Sequence, residues 1–332
     1  MAKSKDLSTI VPVSWEFVSS SGPSLAHHTG GFVRGSWYIH GGITVRGSTS
    51  PSDQFYKFDP SEASWVEVTT HGSPALSHHS SVVLGDRYLI LIGGWDGKAR
   101  TSDVHMYDVE KDKWQGVATS GFPVGAGLSS FTATLLAKDE ILIIGREGSL
   151  RIQRRSGNAF SLKLDLGKGI GSYREYPMGV ASRSGHTATM IGKRVIVFGG
   201  RDDKLIEQHP GYSPVPDHRT ANVLNSVDAK IEALKLKSVT KLPCGRKHHI
   251  GVEGHGLIFI HGGDTFDGKS RFPVGEAYLL KLKPVLSVYK LGVTEVGRAG
   301  HICMTDGEDV FIHGGVGERN AVFGDLYKLK VS

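Results

Sequence analysis

Histidine and arginine are the side chains whose placement in this 332-residue chain could do chemistry. Eight histidines (His27, His28, His78, His79, His186, His248, His249 and His301) head apolar runs, and His40, His261 and His313 directly precede Gly-Gly pairs. Imidazole is the commonest biological metal ligand, so a metal centre is one reading. Against it, these positions recur once per repeated unit, and side chains repeated by symmetry satisfy the same backbone groups in every unit. They read as structural, and no metal or cofactor is expected. Other chemistries lack their signatures: there is no Gly-x-Ser-x-Gly elbow, His-Glu-x-x-His, P-loop or dinucleotide fingerprint. Cys244 and Cys303 stand in no ligand-spaced motif, and no catalytic residue is assigned.

The arginines are placed differently. Arg146, Arg151, Arg154 and Arg155 crowd the segment Gly145-Arg-Glu-Gly-Ser-Leu-Arg-Ile-Gln-Arg-Arg155, where the repeat has lost both its diglycine and its histidine. Drift would remove a motif without installing four arginines. Arg offers a planar fork suited to bidentate carboxylate or phosphate recognition, whereas Lys is the usual solubilising choice.

A repeated unit positions these residues. Diglycines stand at Gly41–Gly42, Gly93–Gly94, Gly199–Gly200, Gly262–Gly263 and Gly314–Gly315, with Gly145–Arg146 as an eroded copy; successive copies lie 52, 52, 54, 63 and 52 residues apart. Each copy reads as four short strands bounded by Gly, Asp and Pro. Third strands include Phe55–Asp59, Val104–Asp108 and Phe160–Asp165. Fourth strands centre on Trp65, Trp114, Tyr173 and Tyr289, rings expected to pack between neighbouring units. The last copy stops after its third strand, and Ser14-Trp-Glu-Phe-Val18 has the form of the missing fourth. The N-terminal strand is therefore expected to complete the last unit and close a ring, leaving only short edges.

The recurrent diglycines, Tyr–Asp third strands and Trp-bearing fourth strands resemble the kelch repeat family over essentially the whole chain, and kelch blades have this period. The reading is all-β: a tail over 1–12, then a single six-bladed kelch β-propeller over 13–331. The longer fourth copy carries an insertion over 201–236, in which Leu224, Val227, Ile231 and Leu234 fall at helical spacing and predict a short amphipathic helix. A narrower resemblance within the family rests on Gly94-Trp-Asp-Gly97, Gly145-Arg-Glu-Gly148, Gln153-Arg-Arg155 and Ser182-Arg-Ser-Gly-His186. It implies a non-enzymatic propeller with an A-type cyclin as a partner.

In a kelch propeller, the loops joining second to third strands and those joining blades share one face. That face would hold thirteen arginines, including Arg100, Arg201, Arg183, Arg246 and Arg298, and a charge near +7 against +6 for the chain. The expected function is an interaction module offering an acidic or C-terminal-carboxylate segment its arginines, with Arg146, Arg151, Arg154, Arg155, Arg100 and Arg201 as contacts. The alternatives are a structural subunit of a cytoskeletal or ciliary (axonemal) assembly and, last, a propeller enzyme of the copper-oxidase kind. Nucleic acid is not expected, because no basic stripe interleaves with aromatics. No apolar run is long enough for a transmembrane helix. The start lacks a secretory signal, and two cysteines suit a reducing compartment. A cytosolic setting is expected, with no membrane partner and no ligase-recruiting domain.

Overall fold

The second strand of each repeat explains the architecture. Runs such as Tyr-Leu-Ile-Leu-Ile and Glu-Ile-Leu-Ile-Ile are apolar on both faces, as a strand buried from both sides must be. The computed structural model describes residues 13–68, 71–145, 159–176, 183–202, 220–238, 245–266, 271–293, 296–305, 307 and 309–331. In it Leu89–Ile92, Ile141–Ile144 and Val195–Phe198 are almost wholly buried.

Most of the described strands group as antiparallel four-stranded meanders; the second and third of these join edge to edge where Ile170–Ser172 pairs in parallel with Ala118–Ser120, and Lys237–Ser238 adds a parallel edge to the fifth. The first blade holds Thr29–Val33, Ser36–His40, Phe55–Asp59 and Ser64–Glu67; the second holds Ser80–Leu84, Tyr88–Trp95, Arg100–Asp108 and Lys113–Ser120. Next come Thr132–Ala137, Glu140–Ile144, Ala159–Asp165 and Ile170–Glu175, then Thr187–Ile191, Arg194–Phe198, Thr220–Asn225 and Ile231–Lys235. The fifth blade holds Ile250–Gly254, Leu257–His261, Glu276–Lys281 and Ser287–Val293. The last joins Ile302–Thr305, Val310–His313 and Leu326–Val331 to Val13–Ser19. Trp15 lies opposite Leu329 and Val13 opposite Val331, so the N-terminal strand does complete the last blade.

The first strands of consecutive blades lie against one another, and the last returns to the first. A belt of backbone hydrogen bonds runs around the same circle. The N–H of His78 donates to His27 O, Ser130 to His78, Gly185 to Ser130, His248 to Gly185, Gly300 to His248, and His27 to Gly300, at 2.7–3.0 Å. Each residue of the belt has φ between 51° and 64°. Six members close it.

The core lies between blades. Trp65 packs with Trp37 and Phe58 of its own blade and Phe311 of the last, and Trp114 packs with Phe55 and Tyr38 of the blade before it. The Tyr173 hydroxyl donates to Ser102 O of the second blade at 2.8 Å. In the fifth blade the inward position falls instead to Val288, opposite Leu280; Tyr289 sits opposite Leu279 on the other face and is only half-buried.

Among the described residues the expected helix is absent. Thr220–Asn225 and Ile231–Lys235 form a hairpin, with Leu224 opposite Ile231 and Ala221 opposite Leu234. Its turn is written in side chains: Asn225 Oδ1 accepts from Val227 N–H and Asp228 Oδ1 from Lys230 N–H, each at 3.1 Å. Local Asx bonds of this kind favour turns over helices. Val227, which completed the helical spacing, is 70% exposed at the tip. The remainder of the insertion, 203–219, lies outside the described residues.

Candidate functional site

The histidines are interface pieces. A ring nitrogen of His79 is hydrogen-bonded to His40 of the preceding blade at 2.9 Å, His28 to His313 at 3.0 Å and His301 to His261 at 3.0 Å. Where the preceding blade offers no histidine, His186 meets Thr132 at 3.1 Å and His249 meets Thr187 at 3.3 Å. The outer-strand tryptophan of the following blade covers each His–His pair: Trp114 lies 5.3 Å from His40, Trp65 4.9 Å from His313 and Trp15 5.4 Å from His261. Burial holds His40, His261 and His313 neutral, lowering each to about 3. The diglycine follows from the same packing. A Cβ on Gly314 (φ 71°) would lie 2.4 Å from Leu25 O and 2.8 Å from the His28 ring, and one on Gly315 would strike Cβ of His301 at 2.8 Å. Gly-Gly is thus a slot between two histidines, one from its own blade and one from the next.

Three arginines assigned to the loop face turn inward. Nη1 of Arg183, Arg246 and Arg298 donates to the carbonyl of the first glycine of its own blade, Gly199, Gly262 and Gly314, at 3.2, 3.0 and 3.0 Å. Arg298 also grips Asp325 through both carboxylate oxygens, at 2.8 and 3.1 Å, and Arg246 meets Glu276 at 2.7 Å. Burial alone would raise the Glu276 carboxyl, but hydrogen bonds from Lys290 and Arg246 outweigh it and hold it down to about 2. Arg246 is 0% and Arg298 3% exposed. These guanidinium groups pin the loop to the diglycine and contribute little to a docking charge. Arg298→Ala is expected to cost about 3–5 kcal/mol, because it strands Asp325 and a buried carbonyl. Arg298→Lys should recover only part, lacking the fork. A loss below about 1 kcal/mol in urea unfolding would refute this role.

Of the six arginines expected as partner contacts, Arg100 is exposed at the head of its strand and Arg201 is partly buried. Arg201 lies in a two-residue strand paired with Arg183 and Ser184. Arg146, Arg151, Arg154 and Arg155 lie outside the described residues. The Trp95–Arg100 loop shows what sequence reasoning missed. Asp96 is consumed locally, accepting from the Lys98 and Ala99 N–H groups at 2.7 Å each, and Trp95 Nε1 donates to Thr49 O at 2.7 Å. The loop therefore presents Lys98 and Arg100 beside a half-buried indole. Among the described residues, no three His, Cys, Asp or Glu side chains group as a metal site. Cys303 is packed between the fifth and last blades, and burial pushes its thiol well up. Cys244 lies outside the described residues.

Circular closure, the diglycine slots and inter-blade tryptophans define a kelch-type β-propeller. Residues 5–145 match the family model described as the KLHDC2/KLHL20/DRC7 Kelch-repeats domain. Over those residues the chain carries the kelch-repeat signature. It is similar to Kelch domain-containing protein 9 of Mus musculus, 29% identical over 88% of this chain and 87% of that protein. Similarity to Kelch domain-containing protein 3 of Homo sapiens is 26% identity over 71% of this chain and 60% of that one. A solved structure titled "Structure of YjhT" superposes with a TM-score of 0.71 at 15% identity, covering 93% of this chain and 96% of its own, and shares the fold.

Proposed function

We propose that this propeller is a non-enzymatic protein-interaction module whose loop face receives an acidic or carboxylate-ended segment of a partner. The observation that carries this reading is the Trp95–Arg100 loop, whose acid is turned onto its own backbone while Lys98 and Arg100 remain outward. Arg beside an aromatic is the composition of an interface hot spot. Arg201 and the segment with Arg146, Arg151, Arg154 and Arg155 belong to the adjoining blades of this reading. An A-type cyclin is the first partner to test, on the strength of the family resemblance. Affinity purification would compare the wild type with Arg100→Ala and with the combined Arg146, Arg151, Arg154 and Arg155→Ala variant. An anchoring arginine should contribute about 2–4 kcal/mol of binding, so acidic partners should vanish from at least one variant. Partners retained at wild-type levels by both would overturn the docking face in favour of a structural subunit of a larger assembly.

A further inference from the structure

Three imidazoles meet at the axis of the ring. His27 and His78 stack with centroids 4.0 Å apart and planes 16° from parallel, and His248 meets them edge-on at 4.8 and 6.0 Å. They come from belt positions of the first, second and fifth blades; the other belt residues are Ser130, Gly185 and Gly300. The glycines are what let the rings lie across the axis. A Cβ at Gly300 would stand 2.6 Å from His27 Cε1, and one at Gly185 2.7 Å from His248 Cδ2. With Ser130 and the second-row histidines, the three half-buried rings line a cavity of about 150 Å³. That is the liquid volume of about five waters.

The charged groups that act most on two of these rings share one sign. Burial is the main influence on His27 and His248, and the groups that add to it are His78, Lys247, His28, Arg46 and His249, every one of them basic. Lys247 is itself paired through its backbone with an acidic residue, Asp264, at 2.8 and 3.0 Å. Among the six equivalent positions preceding the belt residues, Ala26, Ser77, Ser129, Ser184 and Ala299 are small and buried; the sixth is Lys247. A cavity lined by imidazoles, which can donate N–H bonds, with Lys247 next to the lining residue His248 is chemistry for an oxyanion.

We propose that the axial cavity binds a small oxyanion, held by His27, His78 and His248 with Lys247 next to His248. The ligand is a carboxylate or an inorganic phosphate, either of which fits the volume. Its negative charge offsets the basic surroundings and favours protonation of the imidazoles, so binding tightens as pH falls. The site is independent of the loop-face reading, since a free buffer anion suffices to fill it.

The test is calorimetric titration and thermal melting of the full chain with sodium phosphate and sodium acetate. Sodium chloride at matched ionic strength is the control, and each series is run at pH 6.5 and 8. Saturable binding is expected for at least one oxyanion, tighter by severalfold at pH 6.5, with a rise in Tm that chloride does not reproduce. Response to phosphate alone marks a free tetrahedral anion as the ligand; response to acetate as well marks a carboxylate, such as an acidic side chain would supply. His248→Gln should weaken binding at least tenfold in a protein that still melts cooperatively. Should that variant fail to fold, Lys247→Met provides the same comparison, and histidine ring-proton NMR shifts of the wild type on phosphate addition provide another. Equal responses to all three salts, or undiminished binding in a folded variant, would overturn the proposal.

Discussion

Acidification from pH 7 to pH 5 is expected to unfold this protein well before its carboxylates titrate. Burial lowers His40, His261 and His313 from an ordinary 6.5 to about 3, and drives His27, His28, His79, His186, His248 and His301 well below 6.5. Between those limits the unfolded chain binds protons that the folded ring refuses, so stability is complete above pH 6.5 and falls as pH drops through that window. At pH 5 each of the first three histidines costs about 2 kcal/mol, and together they consume much of a typical folding free energy of about 5–15 kcal/mol. Asp108 and Glu276 are held low in the folded state and lose their contribution only below about pH 4. Urea unfolding followed by tryptophan fluorescence at half-unit steps from pH 8 to 4 measures this directly. A midpoint unchanged down to pH 4.5 would show that the buried imidazoles are not neutral.

Deleting the strand Val13–Ser19 should be as damaging, by another route. The strand pairs along its length with Leu326–Val331 and lays Trp15 against Phe259 and His261 of the fifth blade. Without it the last blade keeps three strands, the His261–His301 pair loses its cover, and an unpaired edge faces solvent. A single cooperative transition should give way to a broad one at lower urea, with concentration-dependent association through the open edge. A synthetic peptide of residues 13–19 added in excess should restore part of the transition. Unchanged unfolding of the truncated chain would mean that the ring does not depend on its seam.

Much of this was legible in the residues because the repeat is strict where packing is tight. Gly41, Gly262 and Gly314 recur because each lies against the histidine of the following blade, so a pattern in sequence is a contact in space. Ser14–Val18 could be recognised as a displaced fourth strand for the same reason. The failures share a cause too. Leu224, Val227, Ile231 and Leu234 satisfy a helical period, yet two of them are cross-strand partners and one is a turn tip; apolar spacing alone does not register an intervening turn. Arg183, Arg246 and Arg298 sit in loops, and loop position suggests solvent. Their carbonyl and carboxylate partners lie 16 or more residues away, beyond what local sequence reveals. Tyr289 is the obvious aromatic of its strand, but register gave the inner face to its smaller neighbour Val288.

The seam also sets an order of events during synthesis. Val13–Ser19 is translated before the strand it pairs with, and its partner Leu326–Val331 follows about 300 residues later. At about 5–20 residues per second, the ribosome needs on the order of 15–60 s to make the intervening chain. For that interval Trp15, Phe17 and Val18 have no blade to join. Throughout that interval the nascent protein carries an apolar, pairing-competent segment, and the ring closes only when Leu326–Val331 emerges to meet it.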